Sequence, residues 1–289
     1  MRNKLKTLAL VCVLVLVITA GVLAGNKLIG VTEYTLSFDS LPAAFDGFRI
    51  VQVSDLHNDT FGADQSMLLE HIEALKPDII AVTGDMIDRR HTDVSAAMMF
   101  VRGAAEIAPV YFVTGNHEQW CDAYDDLKTQ MLACGVHILD DDVQVLRKNG
   151  EELTLLGLAY PAKSLQEDRE DRGLAKMINT LDILTEKTSG FCVLLAHRPE
   201  LFGIYAEEEY GIELVLSGHA HGGQVRLPGI GAVFAPSQGF FPKYDMGVYT
   251  DDNTLLVVSR GLGNSSIPVR LLNPPELVCV TLRCSPAQS

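Results

Sequence analysis

Basic charge is scarce in this chain: 23 Lys and Arg stand against 37 Asp and Glu, a formal net charge of −14. That balance opposes the phosphate attraction behind non-specific duplex binding, so bulk nucleic acid is excluded as a partner. Cysteine carries no pattern either. The six cysteines include Cys12 in an apolar stretch, and without a C-x-x-C pair or regular spacing no disulfide framework is legible. Also missing are a G-x-S-x-G elbow, an H-E-x-x-H helix and a Walker loop, which removes three common chemistries. No repeat, low-complexity tract or linker divides the 289 residues, of which 47% are hydrophobic, so one sizeable core is expected.

What is present begins with an uncharged run. Thr7 to Gly25 is dominated by Leu, Val, Ala and Ile, about the ~20 residues that cross a hydrocarbon core, and reads as a transmembrane helix. Arg2, Lys4 and Lys6 precede it and Lys27 follows, so the charge bias puts the N-terminus in the cytoplasm and the rest outside. The expected organisation is a membrane anchor over 1–27 and a catalytic domain over 28–289, on the extracytoplasmic side of a single-pass cell-membrane protein. Val22-Leu-Ala24 resembles a signal-peptidase site, and a cleaved, secreted form is the rival.

The remaining chain alternates strand and helix patterns. Short buried-strand runs at Phe48–Val53, Ile79–Thr83 and Val110–Thr114 are separated by helical patterns at 64–77 and 94–105, the first capped by Asp64. Past residue 140 the texture turns antiparallel, with Asn149-Gly150 as a hairpin signal. A charge-rich helix is expected over 163–187, and strands Cys192–Ala196 and Leu214–Ser217 follow. This is an α/β chain.

Five of the eight histidines fall in or beside short segments just past those strands: Asp55-Leu-His57, Gly84-Asp85, Gly115-Asn116-His117-Glu118, His197 and Gly218-His219-Ala-His221-Gly222. Open α/β sheets gather their sites at such strand ends. Two hard cations need a shared carboxylate and several N/O donors around an open face. Asp55 and His57 suit one metal, Asp85 after a tight glycine suits the gap, and an extended 219–221 segment would point both imidazoles to one side. A lone strand-end histidine is more often structural, but the joint pattern outweighs that; His71, His91 and His137 lack such support.

The order D-x-H, G-D, G-N-H-E, H and G-H-x-H resembles the calcineurin-like metallophosphoesterase superfamily, from about Phe48 to Leu277. The likeness is greatest to a membrane-anchored bacterial phosphodiesterase branch, through Val53-Ser-Asp-Leu-His57, Leu195-Ala-His-Arg-Pro199, His219-Ala-His-Gly-Gly-Gln224 and Ser259-Arg-Gly-Leu-Gly263. The resemblance implies a four-layer α/β/β/α sandwich behind the N-terminal helix. It implies two divalent metal ions (Mn, Fe or Zn), one held by Asp55, His57, Asp85 and His221, the other by Asp85, Asn116, His197 and His219. His117 would be catalytic, stabilising the phosphoryl group and protonating the leaving oxygen, with water rather than a protein group as nucleophile. Glu118 would support the site without ligating.

The implied activity is hydrolysis of a phosphodiester, phosphomonoester or pyrophosphate bond in a small-molecule or lipid substrate, such as a UDP-diacylglucosamine-like molecule. The alternative is a non-catalytic metal-binding envelope scaffold, whose signature would be lost ligands. Arg198 reads as a phosphate contact or an ordinary ion pair, the Gly261/Gly263 pair as close packing near the site, and the charged run Gln166–Arg172 as a solvated face or a gate. Oligomeric state has no readable code.

Overall fold

The computed structural model describes residues 2–91, 93–161, 170–264 and 269–286. An N-terminal helix α1 (Arg2–Gly25) runs for 24 residues, then the chain enters the sheets. The segment expected to be an anchor is helical. Among the described residues, however, no helix is long and apolar enough to cross a membrane, and several α1 side chains lie outside that description.

Two mixed six-stranded sheets form the body. The first contains β1 (Gly30–Phe38), β2 (Arg49–Val53), β3 (Ile79–Val82), β4 (Val110–Phe112), β5 (His137–Ile138) and the C-terminal β16 (Glu276–Cys284), in the order β1-β16-β2-β3-β4-β5. Its β2–β5 neighbours are parallel, and β16 lies antiparallel to β2. The second contains β6 (Asp142–Lys148), β7 (Glu151–Leu158), β8 (Cys192–Ala196), β9 (Leu214–Ser217), β14 (Gly247–Asp251) and β15 (Thr254–Val258), in the order β14-β15-β9-β8-β7-β6. Between β9 and β14 run two short ribbons, β10 (Arg226–Leu227) with β11 (Gly231–Ala232) and β12 (Phe234–Ala235) with β13 (Gly239–Phe240).

Side-chain alternation makes the layers. Val51 and Val53 of β2 pack with Leu68 and Ile72 of α2 (Ser66–Ala74), Phe100 of α3 (Ser95–Ile107) and Leu127 of a later helix. Ile50 points the other way and joins Ile79, Val193, Leu195, Leu216 and Val280 between the sheets. On the far face of the second sheet, Leu156, Leu194 and Val215 meet helical Met177, Leu181 and Phe202. Three apolar clusters thus separate helix, sheet, sheet and helix, because period-two strands buried on both faces need cover on both sides.

Local chemistry explains where elements begin. Asn149 and Gly150 take φ of 52° and 85°, as a two-residue type I′ turn requires, with Lys148 paired to Glu151. Asp64 does not cap α2, contrary to the sequence pattern. Asp64 and Gln65 are left-handed (φ 51° and 64°), and the Gln65 side chain braces the entry loop by accepting from Phe61 N–H and donating to Asp59 C=O. The expected 163–187 helix is Glu170–Thr185; residues 162–169, with most of the charged run Gln166–Arg172, lie outside the described residues.

Candidate metal centre

Each candidate side chain sits within a few residues of a parallel strand's C-terminal end. Asp55 and His57 follow β2, Asp85 follows β3 and Asn116 follows β4, while His197 follows β8 and His219 and His221 follow β9. The two sheets are tied beneath them by buried Gln52, whose Nε2 donates to Thr83 Oγ1 at 3.0 Å and to Ser217 C=O at 2.9 Å. Asp55, His57, Asp85, His219 and His221 all have positive φ, between 47° and 65°. Non-glycine residues adopt that region at a cost, and it concentrates at functional sites. The 219–221 segment is therefore a turn and not the extended strand expected. Its two imidazoles face different neighbours rather than one common side.

The side chains form two touching clusters. In the first, His57 Nε2 lies 3.1 Å from His221 Nε2, and His221 Nε2 lies 3.3 Å from Asp55 Oδ1. In the second, His197 Nε2 lies 3.1 Å from His219 Nδ1. Asp85 Oδ2 stands between them, 3.6 Å from His57 Nε2 and 3.3 Å from His197 Nε2. Donors at 2.0–2.2 Å from a common cation sit about 3.0–3.5 Å from one another, so these spacings fit metal coordination. Asn116 Oδ1 is buried with no hydrogen-bond partner, as a donor kept for a cation would be.

The carboxylates are aimed by main-chain donors. His117 N–H donates to Asp85 Oδ1 at 2.8 Å, which leaves Oδ2 toward both clusters. His219 N–H donates to Asp55 Oδ1 and Oδ2 at 3.1 Å each. Glu118 belongs to neither cluster. Its two oxygens accept the N–H groups of Asp85, Gly115, Met86 and Ile87 at 2.7 to 3.2 Å, fastening the Asp85 loop to the Gly115 loop. At Gly261 a β-carbon would come within 2.6 Å of Asp55 Cβ, so the glycine pair permits close packing against a ligand loop, as the sequence suggested.

Burial sets the protonation states. It pushes Asp55 up to about 6, and it holds the His57 ring down to about 3 and the His219 ring down to about 4. For His197, burial alone would lower the pKa, but the Asp85 charge outweighs it and raises the ring to about 10. Asp85 is the reciprocal case: burial opposes its ionisation, and His197 holds it well below the usual carboxylate range. Protein without metal therefore carries an Asp85/His197 ion pair where a cation would sit.

His117 stands beside the first cluster, its ring centroid 4.4 Å from that of His57. Sequence reasoning missed its neighbour Asp88, whose Oδ1 is 3.8 Å from His117 Nδ1 and whose carboxylate is clamped by Arg90. Burial favours the neutral acid, yet the Arg90 hydrogen bonds outweigh it and hold Asp88 at about 2. Asp88 lies three residues past Asp85 with no motif to flag it. Also missed was Arg270, buried against Gly263 C=O and His221 Nδ1, with burial lowering its pKa to about 10. Arg198 pairs with Glu200 at 2.7 Å, the ordinary alternative of the two weighed. A surface cavity of about 620 Å³ near Glu207, Glu213 and Asp252 shares no residue with these clusters, and its acidic lining repels phosphate.

Convergent imidazole, amide and carboxylate donors at strand ends are the equipment of a metal-dependent hydrolase. The chain belongs to the calcineurin-like phosphoesterase family, whose profile matches residues 48–223. It is 32% identical over 261 residues to the uncharacterized metallophosphoesterase YkuE of Bacillus subtilis (strain 168), across 89% of this chain and 86% of that protein. It is 24% identical over 243 residues to phosphodiesterase YaeI of Escherichia coli (strain K12), across 81% and 82% of the two chains. Among solved structures, TT1561 of Thermus thermophilus matches with a TM-score of 0.51 at 13% identity, over 74% of this chain and 90% of that one, a likeness of fold. The protein is thus a metal-dependent phosphoester hydrolase.

Proposed function

We propose that this enzyme uses two divalent cations, with Asp55, His57, Asp85 and His221 around one and Asp85, Asn116, His197 and His219 around the other. The observation that carries this is Asp85 Oδ2, within 3.6 Å of one nitrogen cluster and 3.3 Å of the other. The donor set suits Mn, Fe or Zn without selecting among them. When bound, such cations supply Lewis acidity and an activated water.

The chain's own groups divide the remaining work. Main-chain N–H groups hold Asp55 and Asp85 in place, Glu118 fastens the Asp85 loop to the Gly115 loop, and His117 faces the reacting phosphoryl group with a proton for the leaving oxygen. The bond class is phosphodiester, phosphomonoester or pyrophosphate, and the substrate a lipid-linked phosphoester. Support for the lipid comes from α1, read as a cell-membrane anchor. Its Thr7–Gly25 run is uncharged, Leu10 and Leu16 are exposed, and the basic Arg2, Lys4 and Lys6 ahead of it favour a catalytic domain on the outer side.

The test is metal analysis of purified full-length protein together with turnover of bis-p-nitrophenyl phosphate and of phosphomono-, phosphodi- and pyrophosphate lipids in mixed micelles. Two bound ions and a preference for one lipid class are expected. One ion, or two ions without turnover, would overturn the assignment.

A further inference from the structure

The segment 227–242, which holds most of the two ribbons, contains no charged residue, in a chain that is 21% charged. It is not buried for that. Leu227, Ile230, Phe234, Phe240 and Phe241 are all exposed, Phe240 by 73% and Phe241 by 67%, and Leu272 on the adjoining segment is exposed too. Phe234 and Phe240 pack edge to face across their ribbon, centroids 5.4 Å apart, on the surface rather than into a core. An apolar patch of this kind on a domain surface marks an interaction face.

Its position is fixed by hydrogen bonds leading from the foot of α1 to the metal centre. The side chain of Asn26, directly after α1, accepts Arg270 N–H at 2.9 Å and donates to Arg270 C=O at 3.2 Å. Next to Arg270, Leu271 C=O accepts Arg226 N–H at 3.0 Å, which joins this segment to the first ribbon. Val233 N–H bonds Val225 C=O and Phe241 N–H bonds Val233 C=O, both at 3.0 Å, which joins the second ribbon to the first. The turn of that second ribbon places Ser237 Oγ 3.0 Å from His219 Nε2. Lys27 pairs with Asp59, two residues past His57.

We infer that the ribbons and Leu272 form a docking face for a phospholipid bilayer, continuous with α1, so that the metal centre opens among lipid headgroups. The inference rests on the reading of α1 as an anchor and adds to it an orientation. Uncharged backbone turns carrying Phe, Ile and Leu, followed by Lys243, have the composition that settles at the headgroup level, where aromatic rings and a lysine are both accommodated. Docking driven by apolar contact requires no anionic lipid, which suits a protein of net charge −14.

Full-length Phe240→Trp protein reconstituted in phosphatidylcholine vesicles tests this, with wild type, whose single tryptophan is Trp120, as the reference. Flotation first reports whether the chain is held by the vesicles. Shallow-brominated phosphatidylcholine should then quench the added emission about twofold, since an interfacial group sits ~5–10 Å deep, and more strongly than it quenches the wild-type Trp120 signal. Flotation without added quenching overturns the docking face while the anchor stands. Failure to float overturns both. An unquenched, blue-shifted signal that depends on protein concentration assigns the face to a second copy of the chain and overturns the proposal. A Phe240→Ser/Phe241→Ser double variant should keep its rate on soluble bis-p-nitrophenyl phosphate within about twofold, as surface changes do, and lose the vesicle-dependent rate on lipid.

Discussion

The main-chain N–H of Arg89 donates to Nδ1 of His117 at 3.1 Å, which fixes the tautomer: a neutral His117 carries its proton on Nε2. Burial lowers the pKa of this ring, while Asp85 and Asp88 pull the other way. His117→Ala should therefore leave metal content nearly intact and reduce turnover by about 10²–10⁴-fold, the usual contribution of a proton-transfer group. Metal analysis beside steady-state rates on bis-p-nitrophenyl phosphate checks it, and metal loss equal to the loss of rate would contradict the assignment.

Asp85 should behave oppositely. One of its oxygens is tied to His117 N–H and the other faces both nitrogen clusters, so Asp85→Ala removes a group common to both. The variant should lose bound metal and turnover together. It should also lower the His197 pKa, because the charge and hydrogen bond of Asp85 are the largest contributions that raise it against burial. A full complement of metal in Asp85→Ala would rule out bridging.

Much of this centre was legible because ligand chemistry is local: Asp55-x-His57, Gly84-Asp85 and Asn116-His117 each lie next to a strand whose Val and Ile runs announce it. The Asn149-Gly150 hairpin was legible for the same reason, since φ > 0 in a two-residue turn selects those residues. What stayed hidden depends on tertiary contact. Asp88 matters only because the loop returns it to His117, Arg270 because a distant segment brings it under His221, and the backbone of 219–221 because Asp55 accepts the His219 N–H and pulls the segment into a turn. The ribbons were invisible as elements, since two-residue strands have no period.

Metal binding should be proton-linked with a defined sign. With His197 raised to about 10, the metal-free protein near neutral pH holds a proton that a cation must expel, so binding should release about one proton. Below about 6 Asp55 protonates as well, and affinity should fall more steeply on acidification. The His197 shift also stabilises the metal-free fold: its contribution is complete below the ordinary imidazole pKa and is lost as pH rises toward 10. Calorimetric titration of Mn in buffers of different ionisation enthalpy measures the release; none at neutral pH would refute the ion-pair description.

Glu118→Gln isolates the supporting layer. The carboxylate accepts four main-chain N–H groups, two on each oxygen, and an amide can offer only one accepting oxygen while its NH2 faces the other two donors. Two buried N–H groups left facing a donor cost about 1–3 kcal/mol, which should lower the urea midpoint clearly. Because burial and the Asp85 charge push the Glu118 carboxyl up to about 7, the wild-type penalty for ionising it grows as pH rises from its unfolded value through 7. The stability difference between the two proteins should therefore shrink over that interval in metal-free protein, since Gln has no proton to lose. A difference that stays constant with pH would mean that Glu118 is ionised throughout, and that its four donors alone decide its state.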